Sequence, residues 1–296
     1  MNLFLERYKA LGEEFEPDTI ILKPSLRINT LKITDEVLIK RINAQLVRIP
    51  FLKHGYHYES SYAVGAMPEY LQGYYYLQEA ASQLPAEVLD PRPGELVLDM
   101  CAAPGSKTTH LAMLMNNKGK IIALDANNPR LPSLQNNLER CGVANTIVYK
   151  KDARYADDFK MMFDKILLDA PCSGNFAIDN NWLEERKVED LKQASKIQKQ
   201  LLETAINVLK PNGTLVYSTC SLEPEEDELV INWMLEKNDN IELEKIDKDI
   251  GDTGLTNVFG EKLRPALALC KRLWPHKTGT QGFFLAKVRK LKNKQN

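Results

Sequence analysis

The fold is decided by one stretch, Glu95-Leu-Val-Leu-Asp99-Met-Cys-Ala-Ala-Pro-Gly105-Ser-Lys-Thr-Thr109. Its first five residues predict a short buried strand, and a helix is predicted from about Lys107 to Met115. Between them, small residues and Gly105 allow the backbone to approach a ligand closely. The exposed amides at the start of the helix favour a carboxylate or a phosphate. The stretch therefore predicts a ligand-binding turn between a strand and a helix.

The alternation of strands and helices continues towards the carboxyl terminus. Further strands are predicted at Lys120–Asp125, Thr146–Lys150, Lys165–Asp169, Thr214–Ser218 and Gly282–Lys287, and helices at Pro132–Cys141 and Leu191–Leu209. This order predicts an α/β fold with a parallel, doubly wound sheet, in which ligands bind at the carboxyl ends of the strands. Pro91-Arg-Pro-Gly94 marks a boundary. We therefore expect a small α+β amino-terminal lobe at residues 1–90 and a larger domain at 91–296.

Composition narrows the functional classes. The chain has 296 residues, of which 44% are hydrophobic and 27% charged, a balance typical of globular proteins. No apolar run approaches the ~18 residues of a membrane span, and the charged amino terminus is unlike a secretory signal. Five cysteines without a Cys-x-x-Cys pair fit neither a disulfide framework nor a zinc ribbon. We expect a cytoplasmic protein that has no membrane segment and no metal site.

The net charge of −1 hides a strong segregation of charge. Residues 223–252 hold twelve acidic and three basic side chains, whereas residues 261–296 hold ten basic and one acidic. A basic end of this kind can bind phosphates. We interpret the acidic run as solvated surface, because Pro224 and the acids Glu225–Glu228 suit the first turn of a helix.

Two known nucleotide-binding motifs are absent from the turn after the first strand, which excludes their ligands. A phosphate-binding loop requires glycines where Cys101 and Ser106 stand, and the dinucleotide fingerprint Gly-x-Gly-x-x-Gly is absent. What remains is a ligand with an adenosine group but no pyrophosphate, such as S-adenosylmethionine. Asp125 ends the second strand, where an acid can bind ribose hydroxyls. Asp152 follows the third strand and can accept a hydrogen bond from the adenine amino group, although either acid could instead be a capping or turn residue.

Two cysteines follow neighbouring strands. Asp169-Ala-Pro-Cys172-Ser-Gly-Asn175 ends the fourth strand, and Ser218-Thr-Cys220-Ser221 ends the fifth. Cys220 precedes the start of a helix, where the positive end stabilises a thiolate. Two thiols and an acid beside a methyl donor suggest attack on an electron-poor ring. The alternative for the first motif is a structural turn with an inert cysteine.

These motifs resemble those of the Sun (Nol/Nop/Sun) family of RNA cytosine methyltransferases. The resemblance covers most of the chain: residues 27–32, 77–82, 101–107, 169–174, 218–221 and 278–287. It implies a Rossmann-like class I methyltransferase fold that uses S-adenosylmethionine to form 5-methylcytosine in RNA. The pairing of Asp-Ala-Pro-Cys with a downstream Ser-Thr-Cys-Ser is its most specific part.

The resemblance also implies roles for individual residues. Cys220 is the expected nucleophile at carbon 6 of cytosine, and Cys172 is expected to assist product release. Asp169 is expected to hydrogen-bond ring nitrogen 3, a role that a carboxyl in a closed site could fill if it is protonated or shares a proton. Lys107 is expected to contact cofactor or base. The expected cofactor-binding set is Cys101, Ala102, Ala103, Pro104, Gly105, Ser106, Lys107, Asp125, Arg130, Asp152 and Asp169.

The resemblance implies an RNA substrate but leaves two kinds of RNA open. The short amino-terminal lobe resembles that of compact archaeal-type enzymes acting on transfer RNA, and ribosomal RNA is the alternative. Arg27, Lys32 and the basic tail, Lys287–Lys294, are candidates for phosphate contacts. The target base must leave its stack. A non-catalytic RNA-binding scaffold and a DNA cytosine enzyme, with its nucleophile at Cys172, are the contrasting classes. We expect a monomer with tRNA as its partner.

Overall fold

The structure, a computed structural model, describes residues 2–292. Its amino-terminal lobe has one antiparallel sheet with the strand order β2-β3-β1-β4. The elements of this lobe are α1 (Leu3–Ala10), β1 (Ser25–Ile28), α2 (Asp35–Arg41), β2 (Gln45–Arg48), β3 (Gly55–Glu59), α3 (Pro68–Leu71), β4 (Tyr75–Leu77) and α4 (Leu84–Leu89). Helix α4 packs with the next part of the chain, because Leu84 and Leu89 share a hydrophobic core with Val97 and Leu167.

The larger lobe contains the predicted alternation of strands and helices. Its first half comprises β5 (Leu96–Asp99), α5 (Ser106–Leu114), β6 (Lys120–Asp125), α6 (Leu131–Cys141), β7 (Thr146–Lys150) and β8 (Phe163–Asp169). Its second half comprises α7 (Trp182–Glu185), α8 (Val188–Val208), β9 (Leu209–Thr219), α9 (Glu228–Lys237), β10 (Ile241–Glu244), β11 (Asp252–Thr253), β12 (Asn257–Val258), β13 (Glu261–Lys262), β14 (Lys271–Leu273), α10 (Pro275–Thr278) and β15 (Phe283–Lys290).

The main sheet has the order β11-β14-β15-β9-β8-β5-β6-β7, with β10 also paired to β15. Strands β9-β8-β5-β6-β7 are parallel. Strand β15 runs antiparallel to β9. The predicted Rossmann-like α/β fold with an amino-terminal lobe is thus observed, although the sheet is mixed rather than wholly parallel.

The direction of winding reverses between β5 and β8. From β5 the chain proceeds outward to β6 and β7, whereas β8 and β9 lie on the other side. Ligands of doubly wound sheets bind at such a reversal, outside the carboxyl ends of the strands. Asp99 ends β5 and Asp169 ends β8, so both acids lie at this crevice.

The predicted helix that ends at Leu209 and the predicted strand that begins at Thr214 are not separated by a loop at residues 211–213. Strand β9 begins at Leu209, directly after α8, and contains Pro211-Asn-Gly213. The register between β8 and β9 shifts here, because Phe163 pairs with Leu209 whereas Lys165 pairs with Thr214. The three residues are accommodated as a bulge in the strand, which is how a ladder tolerates proline.

The interpretation of the acidic run as solvated surface is wrong at its amino-terminal part. Glu223, Glu226, Asp227 and Glu228 are fully buried, and α9 begins only at Glu228. Buried carboxylates need partners. Cationic partners for three of them come from distant segments, whereas Glu226 accepts hydrogen bonds from neutral groups of Ser173, Gln198 and Ser221. Arg272 pairs with Asp227 at 3.2 Å and with Glu228, and Arg7 pairs with Glu223 at 3.0 Å.

Among the helices of residues 2–292, none combines the length and the apolar character needed to cross a bilayer.

Candidate active site

A cavity of about 410 Å³ opens at the carboxyl ends of the parallel strands. The predicted site residues that line it are Cys101, Ala103, Asp125, Arg130, Asp152, Asp169, Cys172 and Cys220. Ala102, Pro104, Gly105, Ser106 and Lys107 do not line it; they form the rest of the turn behind Cys101 and the first residues of α5. The structure therefore brings the acids and both thiols together around one space.

The turn between β5 and α5 is anchored to its surroundings. Ala102 N–H donates to the Leu124 carbonyl at 2.8 Å, and Arg130 donates to the Ala103 carbonyl. Gly105 has φ = +103°, and a Cβ there would lie 3.0 Å from the Leu134 side chain. Glycine is therefore favoured by the backbone conformation, and its lack of a side chain permits close contact with α6.

Asp125 is oriented by the backbone at the edge of the cavity. It is 5% exposed, and its carboxylate accepts hydrogen bonds from Ala103 N–H at 3.1 Å and Asn127 N–H at 2.8 Å. Because a carboxylate offers about four acceptor positions, these two hydrogen bonds leave others for a ligand's hydroxyls, although Arg130 Nη1 also lies 3.6 Å from Asp125 Oδ2.

Asp152 lies on the same cavity wall but is engaged by Arg154. The two side chains form an ion pair at 2.6 Å, and the hydrogen bond from Arg154 lowers the pKa of Asp152. Asp152 is thus a carboxylate near neutral pH, and a ligand amino group would share it with the guanidinium.

The two thiols are in direct contact. Cys172 Sγ and Cys220 Sγ are 3.1 Å apart, although the cysteines are 48 positions apart in the chain. A hydrogen bond from the Cys172 thiol lowers the pKa of Cys220, and the positive charge of Lys107 acts in the same direction. The same hydrogen bond raises the pKa of Cys172 well above its ordinary value, and burial adds to this shift. Cys220 is therefore the thiol that ionises first, the property required of a nucleophile.

Asp169 is held in place on both sides. Lys107 Nζ lies 2.7 Å from Asp169 Oδ2, and Ser218 Oγ donates to Asp169 Oδ1 at 2.8 Å. Lys107 belongs to the first turn of α5, and its ammonium lies 5.8 Å from the centre of the Phe283 ring. The ion pair joins α5 to the end of β8 beside the thiols.

Two residues to which the sequence analysis gave no role, Ser218 and Asp99, also support this site. Ser218 was noted only as part of a motif, yet it fixes Asp169. Asp99 is 1% exposed and accepts a hydrogen bond from the Thr108 hydroxyl at 2.7 Å, and burial raises its pKa to about 7. Its position at the end of a buried strand was visible in the sequence, but its hydrogen bond with Thr108 was not.

The prediction that Arg27 contacts RNA phosphates is wrong. Arg27 is 1% exposed, and its guanidinium donates to the Ser106 carbonyl at 2.9 Å and to Thr109 Oγ1 at 2.8 Å. Burial lowers its pKa to about 10. The side chain binds β1 to the first turn of α5 and does not reach solvent.

Lys32 and the basic tail are the other predicted phosphate contacts. Lys32 is exposed, and its ammonium donates to the carbonyls of Gln72 at 2.9 Å and Arg140 at 2.7 Å; its phosphate contact stays a prediction. Much of the basic end is neutralised internally, since Lys287 pairs with Glu244 and Arg272 is buried among acids. Lys294, part of the predicted basic tail, lies outside the described residues.

Within residues 2–292, no three His, Cys, Asp or Glu side chains are grouped so that they could hold a metal ion.

Comparison with protein families gives two matches along the chain. Residues 86–289 match the family described as 16S rRNA methyltransferase RsmB/F, and residues 2–80 match the N-terminal domain of 16S rRNA methyltransferase RsmF. The first match alone covers more than half of the chain.

Individual relatives act on two kinds of RNA. The chain is 39% identical over 304 residues to a tRNA (cytosine(49)-C(5))-methyltransferase of Pyrococcus abyssi, with 97% of this chain and 95% of that protein covered. It is 41% identical over 294 residues to a 28S rRNA (cytosine-C(5))-methyltransferase of Mus musculus, with 96% and 37% covered. The chain spans less than half the length of the mouse, human, fission yeast and nematode ribosomal RNA relatives.

A crystal structure shares the whole fold. It is that of a methyltransferase homolog protein from Pyrococcus horikoshii, 42% identical, with a TM-score of 0.86 and coverage of 98% of this chain and 95% of that one. The similarity includes both lobes.

Proposed function

Because this chain belongs to the RsmB/F (Sun) family of methyltransferases, we propose that it methylates carbon 5 of cytosine in RNA, with transfer RNA as its substrate. The observation that carries this proposal is the contact between Cys172 and Cys220 at 3.1 Å, beside Asp169 and at the edge of the cavity. Methylation of an exocyclic nitrogen or a hydroxyl needs no such thiol. Carbon 5 of cytosine does, because it is a poor nucleophile until another atom adds to the ring.

The cavity fits S-adenosylmethionine, the methyl donor that the family implies. Asp125 retains acceptor positions suited to ribose hydroxyls, and the turn at Cys101–Gly105 provides close backbone approach. Ala126, Ala153 and Leu201 give the cavity an apolar wall against which a base can pack. When bound, this cofactor supplies an electrophilic methyl group attached to a sulfonium.

The side chains divide the remaining chemistry. The Cys220 thiolate adds to carbon 6, and the electron pair of the carbon 5–carbon 6 double bond makes carbon 5 nucleophilic. As the thiolate adds, negative charge develops on ring nitrogen 3, which takes up a proton and shares it with Asp169; Asp169, held by Lys107 and Ser218, thereby stabilises the adduct. After methylation, solvent water takes the carbon 5 proton, the electron pair of that C–H bond restores the carbon 5–carbon 6 double bond, and Cys220 leaves as a thiolate. Cys172, whose Sγ lies 3.1 Å from Cys220 Sγ, donates its S–H to the departing thiolate and so assists this release.

Coverage favours transfer RNA over ribosomal RNA. The chain matches the transfer RNA enzyme of Pyrococcus abyssi over 95% of its length, whereas it covers only 37% of the mouse ribosomal RNA enzyme. Ribosomal RNA is the second candidate, because both matching family models are described by a 16S rRNA activity.

Methylation of defined transcripts tests the proposal. Purified protein and S-adenosylmethionine are incubated with unmodified transfer RNA or with ribosomal RNA fragments, and the digested RNA is examined for 5-methylcytidine by mass spectrometry. We expect the product in transfer RNA with wild-type protein and none with Cys220→Ala. Product in ribosomal RNA alone would refute the substrate, and methylation at any other atom would refute the chemistry.

The monomeric state and cytoplasmic location remain predictions. Light scattering during size-exclusion chromatography measures the first, and cell fractionation the second.

A further inference from the structure

Glu226 occupies the space between the two cysteine turns. It precedes α9, is fully buried, and accepts four hydrogen bonds through its carboxylate. Ser173, the neighbour of Cys172, donates to it through its backbone N–H at 3.0 Å and through its hydroxyl. Ser221, the neighbour of Cys220, donates through its hydroxyl at 2.9 Å. One carboxylate therefore binds the residue that follows each cysteine.

Two further side chains fix Glu226 itself. Gln198 of α8 donates to its carboxylate at 2.8 Å and to the Pro171 carbonyl at 2.9 Å. Tyr217 donates through its hydroxyl to the Glu226 backbone carbonyl at 2.6 Å. The side chains of Glu226 and its four side-chain partners are buried, so an unpaired member would be costly.

We propose that Glu226 is a positioning residue that holds the Cys172 and Cys220 turns together and so maintains the contact between the two thiols. This inference rests on the proposed function for its catalytic meaning, but its physical content concerns the thiols alone. Glu226 does not line the cavity and does not touch the reacting atoms. It acts through Ser173 and Ser221.

Glu226 can change the pKa of Cys220 in two ways, by positioning the Cys172 thiol and by its own charge, and the two shift this pKa in opposite directions. The groups that face Cys220 are Cys172 from the turn after β8, Asp169 at the end of β8, Lys107 from α5, and Glu226. The negative charge of Glu226 raises the pKa of Cys220, whereas the hydrogen bond from Cys172 lowers it and is the larger influence. If Glu226 acted only as a charge, its removal would make Cys220 more acidic. If it maintains the thiol contact, its removal makes Cys220 less acidic.

Alkylation by iodoacetamide as a function of pH distinguishes these cases, with the Cys220 peptide quantified by mass spectrometry. For Glu226→Ala we expect the rate at Cys220 to fall about tenfold at neutral pH, the effect of a rise of ~1 unit in pKa. Glu226→Gln, which removes the charge but can keep the hydrogen bonds, should retain the wild-type rate or exceed it. Glu225→Ala, on the neighbouring residue that pairs with Arg7, serves as the matched control and should not alter the rate.

A second comparison shows whether Glu226 acts through Cys172. In a Cys172→Ala background, Glu226→Ala should produce no further slowing, because the contact that it maintains is already lost. Should Glu226→Ala fail to fold, Ser221→Ala removes one of the four hydrogen bonds and should slow Cys220 alkylation in the same direction. An unchanged or faster rate at Cys220 in both Glu226→Ala and Ser221→Ala would overturn the inference. The assay uses no RNA, so an absence of RNA methylation by the wild-type protein would refute the proposed function without affecting this result.

Discussion

The turns after β8 and β9 differ less in composition than in chemistry. Each follows a parallel strand, each contains a cysteine followed by a serine, and both serines bind Glu226. Yet the pKa of Cys172 is raised and that of Cys220 is lowered. The direction of a single S–H···S hydrogen bond, together with Lys107, separates them. Two identical side chains 3.1 Å apart can therefore take the roles of proton donor and nucleophile without any difference in local sequence type.

Removal of the more acidic thiol should have the largest effect. We expect Cys220→Ala to lower methyl transfer by ~10⁴-fold or more, because the covalent route is lost. S-adenosylmethionine binding, measured by calorimetry, should persist. Cys141→Ala, at a buried cysteine outside the cavity, is the control. Near-normal turnover of Cys220→Ala on unmodified RNA would show that Cys220 is not the nucleophile.

Removal of the other thiol should trap the enzyme rather than silence it. We expect Cys172→Ala to form the adduct through Cys220 but to release it at least ~10²-fold more slowly, as expected when a positioned proton carrier is lost. The trapped complex should appear as a denaturant-resistant, RNase-sensitive band of lower mobility. The double variant Cys172→Ala/Cys220→Ala should give no band. Normal release by the single variant would show that Cys172 has no part in this step.

Lys107→Met should reduce the difference in pKa between Cys220 and Cys172 without abolishing it. The ammonium lowers the pKa of Cys220, so its loss raises that pKa and leaves less thiolate at every pH below it. We expect kcat/KM at pH 7 to fall by ~10- to 100-fold and the acid limb of its pH profile to move to higher pH. Lys120→Met, at the opposite end of β6, should leave the profile in place. A profile that does not move would remove Lys107 from the electrostatics of the thiol.

Asp125→Ala should have the smallest effect and leave the contrast between the turns intact. Loss of its hydrogen bonds to a bound cofactor should raise the Kd for S-adenosylmethionine by ~10-fold. The Kd for RNA should change by a smaller factor than the Kd for S-adenosylmethionine, and the pH dependence of Cys220 alkylation should change little. The exposed Asp157→Ala is the matched control. A greater loss of RNA affinity than of cofactor affinity would place Asp125 outside the cofactor site.

The sequence allowed the fold and most of the cavity to be predicted, for a physical reason. Buried parallel strands are short apolar runs, and their ends carry the ligand-binding residues, so Asp125 and Asp169 were visible as strand ends. The strand Thr146–Lys150 was predicted at its observed bounds. The meeting of Cys172 and Cys220 followed from the expectation that neighbouring parallel strands end at one edge.

Side-chain burial could not be predicted in the same way, because it depends on contacts between distant residues. Glu226 resembles a solvated acid at a helix start, and only the fold brings Ser173, 53 positions away, against it. Arg27 resembles a surface cation until β1 packs against α5. Both errors have one source, since charged residues are usually exposed and their buried partners carry no local signal.

The burial of Arg27 has a consequence for protein engineering. Its guanidinium spans from β1 to the carbonyl of Ser106 and the hydroxyl of Thr109, so the amino-terminal lobe supports the helix whose first turn carries Lys107. A minimal catalytic fragment that starts near residue 85 would leave those groups facing water and α5 without its brace. The two lobes should therefore be exchanged between relatives only as a matched pair.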